Sequence, residues 1–489
     1  MLQLSLKLLV NEETNKVLFA EAGKDFVDIL CSFLTLPLGT IVRLLQEDSN
    51  VGPVTIGSLN SIYRSVENLN VDFLKTVTCK DMLLYPRNSS QDYCSSLILN
   101  IDDTEATRYF MCSRLGDCKY RLLSSFQNQR CECGSLLDRP VSVQSDKVCE
   151  GFVKDSPTFI ITDSLSVLPN SMDTNFDLLK SFGIKSTSSL KEMTVSITEM
   201  QVLDLLKCSL LSKSPLTDLF LRKKPYLKGT SFSTCDVPNS SSNQIKLKLY
   251  LREKDDEILF AQGEEDFADF LFSFLTFPLG GVVRMLGGNS SLGCIDSLYK
   301  SILDLDGYKY LMSNEVKNKL VDPCIAPQFK LSKQILQIYE PRASSYYCYC
   351  QRSFRKSIIH DQFSITYGFK AFNILNETFT TLKLVDPKSS KEAQQEGYVK
   401  GSTLFMATND LVIEPMSPIS ALSLLNSLET LPSNLTEKVV FIGVKEGLNI
   451  LKAALTSTSA LTNGLSHLLT EAKEEKWYWK KTGSWFRTS

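Results

Sequence analysis

Apolar residues recur with helical spacing in a stretch near the start of the chain, residues 18–45. Phe26, Ile29, Leu30 and Phe33 fall at positions i, i+3, i+4 and i+7, which places them on one face of a helix. A second short apolar segment follows and ends near residue 45. The pattern therefore predicts a pair of buried helices.

The same stretch occurs a second time, at residues 259–286, and the two copies match at 17 of 28 positions without a gap. In both copies a Pro-Leu-Gly triplet follows the first helix, at residues 37–39 and 278–280. Proline lacks a backbone donor and glycine tolerates turn geometry, so this triplet predicts a turn that ends the helix. Repetition of such a stretch predicts an internal duplication of the chain.

Other elements are also predicted in pairs. Each helix pair is preceded by a predicted hairpin, and each is followed by a third helix, a buried strand, an apolar helix, a short strand and a last helix. The matched segments are 4–10 and 16–21 with 247–251 and 257–262, then 56–66 with 292–302, 159–161 with 404–406, 176–182 with 422–428, 194–197 with 439–442, and 202–209 with 447–454. This order predicts an α+β fold of two tandem repeats.

The predicted organisation has two repeat units, residues 1–224 and 244–469. Residues 225–243 are rich in serine, threonine and asparagine, which indicates a linker. The middle of the first unit, residues 89–140, is polar and rich in cysteine. Residues 470–489 have no counterpart in the first unit and hold all three tryptophans among basic residues. Their short basic run favours a terminal extension over a surface that binds membranes or single-stranded nucleic acid.

Composition narrows the class of protein. Of the 489 residues, 43% are hydrophobic and 22% are charged, which is typical of a globular protein. The net charge is −2, so nucleic acid is not an expected partner. Residues 1–10 show no export signal. The most apolar segment, residues 268–283, is shorter than the ~20 residues of a membrane span and contains Asp269 and Pro278. A cytoplasmic or nuclear protein is therefore predicted.

In a reducing compartment the fourteen cysteines are free thiols or metal ligands. The strongest candidate site is the group Cys112, Cys118, Cys131 and Cys133. Four thiolates can hold zinc tetrahedrally, and Gly134 directly after the last of them would ease a tight turn. The spacing is C-x5-C, twelve residues, then C-x-C, whereas zinc knuckles use C-x2-C. Ordinary free cysteines are the alternative interpretation.

Further cysteines lie near this group or at a similar place in the second unit. Cys94 and Cys149 flank the group and could replace a weaker ligand. The second unit has only Cys348 and Cys350 at a similar place, so a metal site there would be incomplete.

No catalytic residues are predicted. His360 and His467 are the only histidines, and neither is accompanied by a nucleophile motif. Carboxylates three residues apart occur twice on the predicted helices and could do acid–base work, although helix capping explains them as well. These carboxylates are Asp25 and Asp28 in the first copy and Asp266 and Asp269 in the second.

Three motifs give the chain a family resemblance. They are VLFAEAG at residues 17–23, KDFVDILCSFLTLPLGTIVRLL at residues 24–45 and the closing motif KEGLNILKAALTSTSALTNGL at residues 445–465. In tandem, they resemble a plant family known as the domain of unknown function 674 family, over residues 2–224 and 245–469. The resemblance implies an intracellular protein of land plants and supplies no catalytic residue.

Function is therefore expected to lie in interaction. We expect a non-catalytic scaffold that binds protein partners, because no catalytic constellation occurs at equivalent positions of both units and the shared residues are mainly apolar. Two alternatives stay open. One is a ligand-binding protein or enzyme with a pocket between the repeats, and the other is a zinc-binding regulatory protein.

Overall fold

The computed structural model describes residues 3–104, 107–114, 118–143, 150–155, 157–184, 186–222, 234, 243–336, 338–339, 346–355, 358–367, 380–389 and 396–469. For residues 143, 346–355, 358–364 and 367 it describes the backbone alone. Helices make up 39% of the structure and strands 23%, which confirms the predicted α+β class. The tryptophan-rich segment and nearly all of the predicted linker lie outside the described residues.

The first half of the chain contains nine strands and eight helices among the described residues. The strands are β1 (Leu4–Asn11), β2 (Lys16–Ala22), β3 (Tyr109–Cys112), β4 (Leu122–Ser124), β5 (Gln129–Arg130), β6 (Leu136–Val143), β7 (Phe159–Thr162), β8 (Val167–Pro169) and β9 (Leu190–Ile197). The helices are α1 (Lys24–Thr35), α2 (Leu38–Gln46), α3 (Leu59–Asn68), α4 (Val77–Leu84), α5 (Gln91–Cys94), α6 (Met172–Ser181), α7 (Glu199–Leu211) and α8 (Pro215–Phe220).

The second half contributes eight strands and seven α-helices that lie wholly in the described part. The strands are β10 (Ile245–Arg252), β11 (Ile258–Gly263), β12 (Tyr346–Arg355), β13 (Ile358–Tyr367), β14 (Thr380–Leu384), β15 (Phe405–Thr408), β16 (Ile413–Pro415) and β17 (Leu435–Ile442). The helices are α9 (Glu265–Ser273), α10 (Leu279–Met285), α11 (Ile295–Asp304), α12 (Asn314–Val321), α13 (Pro418–Ser427), α14 (Val444–Thr456) and α15 (Ala460–Gly464).

Two five-stranded antiparallel sheets carry the predicted hairpins. Their orders are β8-β7-β2-β1-β9 and β16-β15-β11-β10-β17, so the hairpin is central in both and the last strand of each half forms an edge. In both hairpins the register shifts once, between Leu9 and Val10 and between Tyr250 and Leu251. The predicted hairpins are confirmed, and the duplication itself stays a prediction from the sequence.

The predicted helix pairs are buried in a core that both halves share. Every residue of α1 from Phe26 to Thr35 is buried, and α9 is buried from Phe267 to Ser273. A single apolar cluster joins these helices to both five-stranded sheets. The helical spacing of apolar residues therefore identified the centre of the molecule correctly.

The Pro-Leu-Gly triplets mark the place where the halves meet, and their predicted role as turns is wrong for the glycines. Gly39 lies inside α2 and Gly280 inside α10. A Cβ added to Gly39 would lie 3.0 Å from the carbonyl oxygen of Leu275, and one added to Gly280 would lie 3.0 Å from that of Leu34. Backbone of the other half therefore approaches both glycines closely, and at Gly280 the carbonyl oxygen of Leu320 in the same half is nearer still, at 2.6 Å.

Two further contacts between the halves mirror each other. Leu74 forms a bridge with Val399, and Leu311 forms one with Val153. At the first bridge the amide of Lys75 donates to the carbonyl of Tyr398 at 2.9 Å. At the second bridge the amide of Met312 donates to the carbonyl of Phe152 at 3.0 Å. Each half thus inserts a segment beside a strand-like segment of the other.

A seven-stranded sheet draws its strands from both halves. Its order is β13-β12-β14-β4-β3-β6-β5, and β13 also pairs with β6, so six of its strands close into a ring. The two junctions between the halves, β14 with β4 and β13 with β6, are parallel. The interior is apolar and includes Met111, Leu123 and Ile365. The sequence predicted neither this ring nor the cooperation of the two middle regions.

Two elements predicted as apolar helices lie at the surface. No residue of α6 is buried, and Leu425 is the one buried residue of α13. The apolar side chains of α6 that do make contact, Leu178 and Leu179, pack on a small cluster outside the main core. Among the described helices, none combines the length and the apolar character that crossing a membrane requires.

Candidate metal centre

The register of the ring places the candidate cysteines side by side. Cys112 is the last residue of β3 and stands opposite Leu137 of β6. The neighbouring residue of β6, Leu136, stands opposite Arg130 of β5. Because Cys131 follows Arg130 directly, the antiparallel ladder brings it and the turn after it to the end of β3.

The turn between β5 and β6 holds two of the cysteines. The amide of Cys131 donates to the carbonyl of Ser135 at 2.8 Å, and the amide of Gly134 donates to the carbonyl of Cys131 at 2.9 Å. Gly134 has a φ of +88°, a conformation that glycine adopts without strain. The expected role of Gly134 is confirmed, and the turn points Cys131 and Cys133 into one cluster.

The four sulfur atoms have the spacing of a tetrahedral metal site. The Sγ atoms of Cys112 and Cys133 lie 3.5 Å apart, as do those of Cys118 and Cys131. All four lie within 4.8 Å of one another. Zinc binds sulfur at about 2.3 Å, so sulfurs at the corners of its tetrahedron are about 3.8 Å apart. Four sulfur atoms this close together could hold a metal ion.

The cysteines differ in how readily they lose a proton. Burial raises the pKa of the Cys112 thiol and raises the pKa of Cys131 to about 12. Hydrogen bonds from Ser135, first from its backbone amide, lower the pKa of Cys133 to about 6. Cys133 therefore loses its proton more readily than Cys112 or Cys131. A bound metal would require the buried thiols to lose their protons as well, because metal coordination and deprotonation are coupled.

An apolar shell surrounds the sulfur atoms on the protein side. Phe110, Leu122 and Leu137 are buried against the cysteines, and Tyr120 and Val385 pack beside them. Such a shell limits the access of water to a bound metal. Val385 belongs to the second half, and its amide donates to the first half at 2.8 Å. Both halves therefore contribute to the surroundings of the cluster.

The flanking cysteines do not extend the site within the described residues. The prediction that Cys94 could replace a ligand is wrong, because it is buried in the main core, where its Sγ contacts Thr35 at 3.5 Å and Asn88 at 3.7 Å. Cys149 lies outside the described residues. Cys348 and Cys350 belong to β12, of which the backbone alone is described.

The carboxylates predicted as helix caps or acid–base groups divide into two kinds. Asp25 and Asp266 lie in the first turns of their helices, as capping predicts. Asp28 instead is buried and accepts the backbone amides of Phe152 and Val153 at 2.8 and 2.9 Å. Asp269 accepts the amides of residues 398 and 399 at 2.8 and 3.0 Å. Each inner carboxylate therefore holds in place a segment that is far away along the chain. The capping interpretation missed this role.

A glycine lies against the carboxyl group of each inner aspartate. A Cβ on Gly151 would lie 2.2 Å from Oδ2 of Asp28, and one on Gly397 would lie 2.1 Å from Oδ2 of Asp269. Burial raises the pKa of Asp28 to about 6 and that of Asp269 to about 7. The sequence signal was present, since both copies pair the aspartate with a later Gly-aromatic-Val triplet.

The histidines show no catalytic arrangement in the described part of the chain. Nε2 of His467 lies 3.1 Å from Oε1 of Glu446. The same carboxyl group accepts the amide of Gly443 at 2.8 Å and so caps α14. His467 thus supports a helix start, and the side chain of His360 lies outside the described residues.

Comparison with known proteins places the chain in a family. No curated protein and no solved structure matches the chain. A family model described as a protein of unknown function, DUF674, matches residues 2–445, which is most of the chain. The chain therefore belongs to the DUF674 family.

Proposed function

We propose that this protein binds one zinc ion through Cys112, Cys118, Cys131 and Cys133 and works as an interaction protein rather than as an enzyme. The observation that carries the proposal is the convergence of four thiol sulfurs within 4.8 Å of one another. Soft sulfur donors in a tetrahedral set favour zinc or an iron centre. Four thiolates fill all four positions of zinc, which is the arrangement of structural rather than catalytic sites.

The zinc would stabilise the part of the seven-stranded sheet in which the shortest strands meet. Three of the strands beside the cysteines are short, with four residues in β3, three in β4 and two in β5, whereas β6 has eight. A metal that cross-links them would supply folding free energy that so few backbone hydrogen bonds do not. Because β4 and β6 pair with strands of the second half, the metal would also secure the junction of the halves.

Two observations support an interaction role. The inner aspartates, which an acid–base mechanism would use, are engaged with backbone amides in both halves. The surface also exposes large apolar side chains that are available for contact with a partner, among them Met172 at 68% and Ile419 at 80%. A plant origin, a duplicated architecture, and a cytoplasmic or nuclear location that keeps thiols reduced complete the proposal.

A cavity favours a second candidate function, the binding of a small ligand between the halves. Its volume is about 80 Å³, and it is lined by Lys75 of the first half and by Asp266, Phe270 and Lys333 of the second. This volume is below the usual range for pockets that hold drug-sized ligands, so the ligand would be a small ion or molecule. A ligand held there would raise the melting temperature of the full chain, and Lys75→Ala would abolish that rise.

The zinc proposal is tested by metal analysis of the full chain. We expect about one zinc per chain, with loss of the metal in Cys131→Ser. Cys94→Ser is the matched control, because it also removes a buried thiol but lies in the main core. A protein that contains no metal and does not take up added zinc would overturn the proposal, as would zinc retained by the double variant Cys131→Ser with Cys133→Ser. Iron in place of zinc would also overturn it.

A further inference from the structure

Strand β17 forms a free edge of the second five-stranded sheet. It pairs with β10 along its whole length, from Leu435 to Ile442, and no other described strand lies on its opposite side. An edge of this kind presents a row of backbone donors and acceptors that another strand can bind. Proteins usually cover or blunt such edges.

Two consecutive outward-facing positions near the end of this strand are apolar. Val440 and Ile442 are buried, whereas Val439 is 53% exposed and Phe441 is 56% exposed. Alternate residues of a strand point to opposite faces, so the two exposed side chains share the outer face. Large apolar side chains beside an unpaired backbone edge are a surface suited to an added strand.

The corresponding edge of the first sheet is polar. β9 occupies the same place in its sheet, and its segment 194–197 matches 439–442 in the sequence. In β9, Thr194 and Ser196 occupy the positions of Val439 and Phe441. The apolar edge therefore occurs in the half that carries the C-terminal segment and is missing from the half that does not.

The chain itself leads to this edge. The ammonium group of Lys438 donates to the carbonyl of Leu468, one residue before the described chain ends. Phe441 is three strand residues from Lys438, a distance of about 10 Å. The twenty residues 470–489 span up to ~65 Å when extended. They start beside β17, on the face opposite Val439 and Phe441, and are long enough to pass the edge and run along it.

The sequence of this segment fits an edge strand. Trp477 and Trp479 alternate, so in a strand they would lie on one face, and Lys480 and Lys481 follow them. We propose that residues 477–481 pair with β17 as a sixth strand of the second sheet, with Trp477 and Trp479 packed over Val439 and Phe441. The added strand shields the edge and makes it unavailable to a second chain.

Tryptophan fluorescence tests this proposal directly, because all three tryptophans belong to residues 470–489. The full-length protein is compared with a synthetic peptide of residues 470–489. We expect the emission of the full chain to be shifted to the blue of the peptide and to be less accessible to acrylamide. Both differences should be lost in Val439→Thr with Phe441→Ser, which introduces the residues of the first half. Val77→Thr with Met172→Ser is the control, since it removes two exposed apolar side chains elsewhere.

Other results would overturn the proposal. Emission equal to that of the peptide would show that the segment is not docked, and a blue shift that survives the double variant would place it elsewhere. A blue shift that disappears on dilution would assign the edge to a second copy. Amide hydrogen exchange provides a measurement independent of the variant. The amides measured are those on the free edge of β17, which are not hydrogen-bonded to β10. They should exchange slowly in the full chain and fast in a chain that ends at Leu469.

Discussion

Replacement of Asp269 by asparagine should change how the stability of the protein depends on pH. Asp269 is 7% exposed, and burial raises its pKa to about 7, whereas an unfolded aspartate has a pKa near 3.8. The folded state therefore holds a proton that the unfolded state releases at a lower pH. The stability that this group contributes is complete below about pH 3.8 and is lost as the pH rises through 7.

The magnitude follows from the two pKa values. Between pH 5 and pH 8, the difference in proton binding lowers the free energy of unfolding by roughly 2–3 kcal/mol in the wild type. Asp269→Asn cannot titrate, and its side-chain oxygen can still accept the amides of Tyr398 and Val399. The free energy of unfolding of Asp269→Asn, relative to that of the wild type, should therefore rise by this amount between pH 5 and pH 8.

The assay is urea unfolding of both proteins at several pH values from 5 to 8. Asp25→Asn serves as the control, because Asp25 lies in the first turn of α1 and is only half-buried. The reasoning would be refuted if the wild type and Asp269→Asn lost stability in parallel across the range. Loss of stability in Asp269→Asn at pH 5 would also count against it, since the protonated acid and the amide are then equivalent acceptors.

Three further predictions concern the other features of the fold. Gly151→Ala should destabilise the protein by about 1–3 kcal/mol, because Gly151 has a φ of +82° and the nearby Asp28 leaves no room for a Cβ. The control Gly23→Ala, where the space around the glycine is open, should be neutral; thermal unfolding measures both. Removal of zinc by a chelator should lower the melting temperature, and the chelator should have no further effect on Cys131→Ser. A protease site inserted into the linker, residues 225–243, should allow cleavage without separation of the halves on size-exclusion chromatography, since backbone hydrogen bonds join them; two separate peaks would contradict this.

The sequence predicted those parts of the fold in which side-chain periodicity extends over several turns or residues. The hairpins and α1 belong to this group. It did not predict the ring, whose strands β3 and β4 have four and three residues, too few to show a clear alternation. The junctions of the ring also pair residues far apart in the chain, such as Leu122 with Lys383. Pairing over such separations leaves no local pattern.

The candidate site was predicted by residue type and not by geometry. Clustering of cysteines along the chain identified Cys112, Cys118, Cys131 and Cys133, whereas Cys94 was included because a linear sequence does not show that α5 packs in the main core. The role of Asp28 was missed for a similar reason. Its partners are more than 120 residues away, so its position on the helix suggested only a local function.

The bridge between Leu74 and Val399 has a consequence for the synthesis of this protein. The two residues are 325 positions apart, and at the usual rates of translation that interval lasts roughly 15–65 s. During this time the nascent first half is without the segments that will cover part of its core. Its apolar surface is then exposed on the ribosome, and we expect it to depend on chaperones until the second half emerges.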